Sequence, residues 1–186
     1  NRDYFGPLML QHGDTDALIV GYSKNYRTVL RPVLEIIEKA KGVDKIASMM
    51  MILSDKKPYF FADTSIHVNP TPEEMANIAK MAEFAIKSFA IQPRIAMLSY
   101  ENFSANSETS KKVAKAVNIL HQKYPDMIVD GEFQPDFAMS ADHLQDYPFS
   151  KLGKTPANTF IFPNLESANL SYKIIRGMKV AQVVGP

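Results

Sequence analysis

Short apolar runs alternate with longer amphipathic stretches along most of this chain. The apolar runs at residues 17–20, 45–54, 58–62, 94–100, 127–129, 159–162 and 180–184 read as strands. Between them the apolar positions fall three and four residues apart, the helical spacing. Residues 25–41 put Val29, Leu30, Val33, Leu34 and Ile37 on one face, with Pro32 expected to kink the helix and Gly42 to end it. Thr71-Pro-Glu-Glu74 is a strong helix start: a threonine cap, a proline in the first position and a glutamate three residues after the cap. That helix is expected to run to Phe89 and to bury Met75, Ile78, Ala82 and Ile86. Helices are also expected at 4–11 and 109–124, in part of 135–146, and after a turn at Asn164. The runs at 45–54 and 58–62 are separated by so few residues that they should form an antiparallel hairpin. The fold class that follows is α/β: three layers, α/β/α, with a mostly parallel sheet and one antiparallel hairpin.

Composition narrows the function without choosing it. The 186 residues are 46% hydrophobic and 22% charged, ordinary for a globular chain with a sizeable core. A net charge of +1 gives no basic field for nucleic acid. The absence of cysteine excludes disulfides, thiol catalysis and zinc–thiolate sites, and it suits a cytoplasmic location. No apolar run reaches the roughly 20 residues that a membrane helix needs, so no membrane partner is expected. The first residues carry no signal-peptide pattern. The chain lacks an initiator methionine and ends on Val-Val-Gly-Pro186, so both ends are expected to be cuts in a longer protein.

The polar residues cluster where strands give way to helices, the ligand-binding edge of an open α/β sheet. Asp63 and Asn69 follow one strand, Ser99 to Ser107 another, and Asp130, Glu132, Gln134 and Asp136 a third. Asn164 and Asn169 follow the run that begins at Thr159. Helix starts leave backbone N–H groups unpaired, so such loops can hold a phosphate or carbonyl; they can equally cap themselves. Within the 99–107 loop, Ser104, Asn106 and Ser107 offer donors, with Lys111 and Lys112 one turn further on. His12, His67, His121 and His143 lack metal-ligand spacing, and His121 reads as a surface residue. Met49-Met-Met51 reads as core filling. There is no dinucleotide glycine fingerprint, phosphate-loop lysine or nucleophile elbow.

Seven elements, taken in order, resemble the phosphotransacetylase (phosphate acetyl/butyryltransferase) family over essentially the whole chain. They are Gly13-Asp-Thr-Asp16, Leu30-Arg-Pro-Val-Leu-Glu-Ile-Ile37, Phe61-Ala-Asp63, Asn69-Pro-Thr-Pro-Glu-Glu74, Arg94-Ile-Ala-Met-Leu-Ser-Tyr100, Asp130-Gly-Glu-Phe-Gln134 and Phe162-Pro-Asn-Leu165 with Asn169 and Tyr172. Glu101-Asn-Phe-Ser104 replaces the family's Gly/Ser-rich loop. With Asn1-Arg-Asp-Tyr-Phe5, Tyr147-Pro-Phe-Ser-Lys-Leu152 and Pro163-Asn-Leu165, it resembles the C-terminal domain of large bacterial NADP-dependent malic enzymes.

The resemblance implies the isocitrate/isopropylmalate dehydrogenase-like fold of that family, incomplete here. Residues 1–152 would be mainly the inserted second lobe, and 153–186 the start of the return to the main lobe. It implies an acetyl-CoA-binding regulatory and oligomerisation domain with no catalytic residue or cofactor of its own. NADP, the divalent metal and the oxidation of malate to pyruvate would belong to an upstream malic half. The ligand-facing residues implied are Gly13, Asp14, Asp16, Ser99, Tyr100, Phe103, Ser104, Asn106, Ser107, Asn164 and Asn169. Gln11-His12 stands where acetyl-transferring relatives place an arginine, and Gln cannot supply the charge that would clamp a phosphate. Two alternatives stay open: a phosphate acetyltransferase moving acetyl between CoA and phosphate, and a ligand-free assembly module.

Overall fold

A computed structural model describes residues 2–21, 24, 26–39, 43, 45–54 and 57–186. The chain divides into two compact units, residues 1–46 and 47–186. The first contains α1 (Arg2–His12) and α2 (Tyr26–Ile36), packed on each other. Arg31 pairs with Glu35 at 2.7 Å, and the Tyr4 hydroxyl donates to the same carboxylate at 2.5 Å. Pro32 lies inside α2 and is buried. The expected strand at 17–20 does not form: these residues are irregular, and Ile19 is 97% exposed. A four-residue apolar run matches a strand only if a neighbouring strand takes its N–H and C=O groups, and among the described residues none does. Gly42 and the start of the hairpin loop at Asp55 lie outside the described residues.

The second unit is built on one six-stranded sheet. Its strands are β1 (Met49–Ser54), β2 (Lys57–Ala62), β3 (Ile95–Leu98), β4 (Val129–Phe133), β5 (Thr159–Ile161) and β6 (Gln182–Val184), in the order β4-β3-β5-β2-β1-β6. Only β1 runs against its neighbours, pairing antiparallel with β2 and with β6; the β2–β5, β3–β5 and β3–β4 pairs are parallel. The hairpin and the mostly parallel sheet both follow the sequence pattern.

Period-two alternation sends successive side chains to opposite faces. Phe60, Ala62, Ile95, Met97, Val129 and Ile161 face one core, shared with α3 (Pro72–Lys87) and α4 (Glu108–Lys123). Phe61, Ala96, Leu98, Phe133, Phe160 and Phe162 face the other, covered by α5 (Pro135–Ala138), α6 (Ala141–Leu144) and α7 (Leu165–Met178). The three layers are therefore complete in this unit. The cap before α3 forms as its residues dictate: Glu74 N–H donates to the Thr71 hydroxyl at 3.2 Å, and Thr71 N–H donates to the Glu74 carboxylate at 2.8 Å. Met75, Ile78, Ala82 and Ile86 are all buried, and Met50 in the methionine run is core.

Two local expectations fail here, the first because polar strand residues hide the pattern. β4 covers 129–133 rather than 127–129, so Asp130 and Glu132 lie inside the strand and are buried, not in a loop beyond it. Asp130 accepts from Gly131 N–H at 2.9 Å and Lys151 N–H at 2.7 Å, which makes its burial affordable. His121 is not a free surface residue: its Nε2 lies 2.8 Å from the Val129 carbonyl oxygen, and its side chain is only 30% exposed.

Arg94 ties the start of β3 to the segment before β5. Its guanidinium donates to the Leu152, Thr155 and Pro156 carbonyls, and its own N–H donates to Asn158 Oδ1 at 2.9 Å. Arg94→Ala is expected to destabilise the chain by about 2 kcal/mol, the scale of hydrogen bonds from a charged donor. Urea unfolding followed by circular dichroism measures this, and a loss no larger than that of an ordinary surface substitution would refute the tie.

Candidate functional site at the carboxyl edge of the sheet

The chain leaves β5 toward α7 on one face of the sheet. Both neighbours of β5, β2 and β3, lead to α3 and α4 on the other face. Connections therefore diverge on each side of β5, the arrangement that opens a crevice at the carboxyl ends of strands.

At the end of β2, Asp63 is 3% exposed and acts as a hydrogen-bond hub. Its Oδ1 accepts from the N–H groups of Ser48 (3.2 Å), Ser65 (3.0 Å) and Ile66 (3.2 Å) and from the Ser48 hydroxyl. Its Oδ2 accepts from His67 N–H at 3.0 Å and meets His67 Nδ1 at 2.6 Å. Burial alone would raise the pKa of this carboxyl. The Ser48 hydroxyl, the Ser65 and His67 backbone N–H groups and the His67 ring outweigh it and hold the pKa below the ordinary value. Asp63 thus shapes the loop rather than standing open to a ligand.

The 99–107 loop after β3 is held by carboxylates of the protein itself. Ser104 N–H donates to Glu132 Oε1 at 2.8 Å, Ala105 N–H donates to the same oxygen, and Asn106 N–H donates to Glu101 Oε2 at 3.1 Å. Phe103 and Ala105 adopt φ of 48° and 47°, unusual for residues other than glycine. Amides arranged in this way form a concave anion site, and here Glu132 fills it. Glu132 is 1% exposed, and its Oε2 is buried with no hydrogen-bond partner.

The other expected ligand donors are also engaged. Ser99 Oγ lies 2.8 Å from Ser110 Oγ, Ser107 caps α4 by accepting from Ser110 N–H at 3.1 Å, and Ser104 Oγ donates to Glu101 at 3.2 Å. Asn164 caps α7, accepting from Ser167 N–H at 2.8 Å. Asn169 donates to the Thr64 carbonyl at 3.3 Å, bringing the α7 start to the loop after β2. Phe103 packs among Phe133, Tyr147 and Phe149, at ring separations of 4.7, 5.1 and 4.8 Å. Tyr100, 65% exposed, presents an open aromatic face. Gly13, Asp14 and Asp16 belong to the first unit and are exposed there. Among the described residues no three acidic or histidine side chains gather as a metal site. No described helix is long and apolar enough to cross a membrane.

Sequence reasoning gave too little weight to two residues. His67 stands four residues from Asp63, a spacing that could have suggested the pair. Lys112 reaches across from α4 and donates to Asn69 Oδ1 and the Pro163 carbonyl, each at 2.7 Å. No local pattern shows that reach.

Comparison with known proteins agrees with this architecture. The chain is 35% identical to the phosphate acetyltransferase of Bacillus subtilis (strain 168), covering 100% of this chain and 58% of that protein. It is 35% identical to an NADP-dependent malic enzyme of Rhizobium meliloti (strain 1021), again over 100% of this chain but over 24% of that much longer protein. The chain thus spans only part of the curated relatives it matches. The crystal structure of a phosphotransacetylase from Streptococcus pyogenes superposes with a TM-score of 0.89 at 32% identity, covering 99% of this chain and 57% of that one. The family model described as phosphate acetyl/butaryl transferase matches residues 1–186, and the chain belongs to that family.

Proposed function

We propose that this chain is an acetyl-CoA-binding regulatory and oligomerisation domain of a longer NADP-dependent malic enzyme, without acyl transfer of its own. The observation that supports this most is the Glu101 carboxylate inside the 99–107 loop, where the family's Gly/Ser-rich loop is replaced; it accepts from Asn106 N–H at 3.1 Å. An acyltransferase using phosphate must hold a dianion beside the thioester. Here that loop carries the Glu101 carboxylate, which would repel it. A thioester needs no anion cradle at its acyl end, and the exposed ring of Tyr100 can cover adenine or pantetheine. The match to malic enzymes over the whole chain fits this setting.

The second reading, phosphate acetyltransferase, draws support from the close superposition on a phosphotransacetylase. One pair of measurements separates them. Calorimetry of acetyl-CoA against this chain and the full-length parent is expected to show binding, tighter in the parent. An assay of phosphate- or arsenate-dependent loss of acetyl-CoA in the parent is expected to show none. Turnover would overturn the regulatory reading, and absence of binding to either protein would overturn both.

A further inference from the structure

His67 stands in the loop between β2 and α3, with its side chain only 11% exposed. Its Nδ1 lies 2.6 Å from Asp63 Oδ2. The donors around Asp63 keep that carboxyl ionised, and an ionised carboxylate only accepts hydrogen bonds. Nδ1 is therefore the donor of the pair. The proton of the neutral ring is fixed there, and Nε2 keeps its lone pair.

Nε2 makes no hydrogen bond among the described residues. The buried side-chain polar atom without a partner among those residues is Glu132 Oε2, so Nε2 reaches solvent. The loop that carries it closes on the first turns of α7. Leu165 N–H donates to the Val68 carbonyl at 3.0 Å, and Asn169 Nδ2 to the Thr64 carbonyl at 3.3 Å. His67 thus stands at the carboxyl edge of the sheet, beside the divergence around β5. Asp63 does not depend on the ring alone, since it also collects four backbone N–H groups and the Ser48 hydroxyl. What the pairing adds is an oriented imidazole with a directed acceptor, the relation by which a carboxylate presents a histidine to a substrate.

We infer that His67 is a ligand-binding residue of this edge: its Nε2 accepts a hydrogen bond from a neutral donor, while Asp63 holds the ring in place. A lone pair needs a hydroxyl, an amide N–H or a thiol; an ionised phosphate oxygen offers it no proton. The pantetheine arm of a CoA ester carries a hydroxyl and amide N–H groups, and it is the part of that ligand His67 would meet. This identification rests on the acetyl-CoA reading above.

The test is run in the full-length parent. Calorimetry with acetyl-CoA is expected to show that His67→Phe, which keeps a ring but removes both nitrogens, weakens binding by about tenfold, the scale of one hydrogen bond. His67→Gln, whose carboxamide can donate to Asp63 and still offer an oxygen, is expected to recover part of that loss. Imidazole nitrogen resonances of isotope-labelled histidine supply the readout that a structural role would not move. At mildly alkaline pH, His67 is expected to show an unprotonated Nε2 that shifts on saturation with acetyl-CoA and stays in place with inorganic phosphate. These spectra need no variant, so they decide the matter if His67→Phe does not fold. An unmoved Nε2 in protein that calorimetry shows to be saturated overturns the inference, as does unchanged affinity in His67→Phe; either result leaves the acetyl-CoA reading standing. No binding by calorimetry removes that reading and this inference with it.

Discussion

Asp63→Ala is expected to destabilise the chain by about 3–5 kcal/mol, the range for removing one partner of a buried charged network. The side chain is almost fully buried and collects four backbone N–H groups, one hydroxyl and one imidazole. Alanine would leave those donors without acceptors in a site that water reaches poorly, and each such loss is costly. Asp63→Asn keeps the volume but removes the charge and turns an NH2 group toward at least one donor, the His67 N–H, so it should also destabilise. The charge gives the effect a pH signature. The folded pKa lies below the ordinary carboxylate value, so the stabilisation is complete above about pH 3.9 and is lost as pH falls through the folded pKa. Urea unfolding across an acidic pH series should show a shallower slope for the asparagine variant than for the parent chain. Parallel pH profiles, or a loss under about 1 kcal/mol, would show that the hub is not ionised or not needed.

The architecture was legible because its signals are local and repeated. The apolar run Pro58-Tyr-Phe-Phe-Ala62, the threonine–proline–glutamate start at Thr71 and the 3.6-residue spacing of Met75, Ile78, Ala82 and Ile86 each point to one element. All three formed as expected. The failures involve information from distant residues. Residues 17–20 carry a strand pattern, but pairing depends on a neighbour that no local pattern supplies. β4 hides Asp130 and Glu132 because partners 21 and 28 residues away, Lys151 and Ser104, make their burial tolerable.

The candidate site divides in the same way. That polar residues would gather at one sheet edge follows from which strands end in Asp, Ser and Asn. That Glu132 would occupy the amides of the 99–107 loop could not be read from sequence, since an empty and a filled anion site share the same loop residues. Lys112 shows the same limit. Its contact with Pro163 spans 51 positions, so only the fold reveals that a lysine of the second turn of α4 stands above β5.

Gly131→Ala should approach the Asp63 variants in severity, at about 3–5 kcal/mol when strain at an unfavourable backbone angle is added to overpacking. Gly131 sits in β4 with φ of +152°, outside the range that side chains tolerate well. A Cβ placed there would lie 2.5 Å from the Met97 carbonyl oxygen and 2.9 Å from Met97 Cβ. Both belong to the adjacent strand β3, so relief requires moving one strand of the sheet against the other, beside the register shift between Met97 and Leu98. Displacing β4 would also move Glu132 and release the amides of Ser104 and Ala105. The stability loss should therefore be accompanied by altered amide resonances throughout the 99–107 loop, even where the variant remains folded. Gly177 provides the opposite control: it lies in α7 with nothing within 4 Å of its would-be Cβ. Alanine there should stabilise by about 0.5–1 kcal/mol through helix propensity. Urea midpoints for the two variants are thus expected on opposite sides of the parent chain. If Gly131→Ala unfolds at the parental midpoint with loop resonances unchanged, the close approach of β4 to β3 does not hold the loop in place.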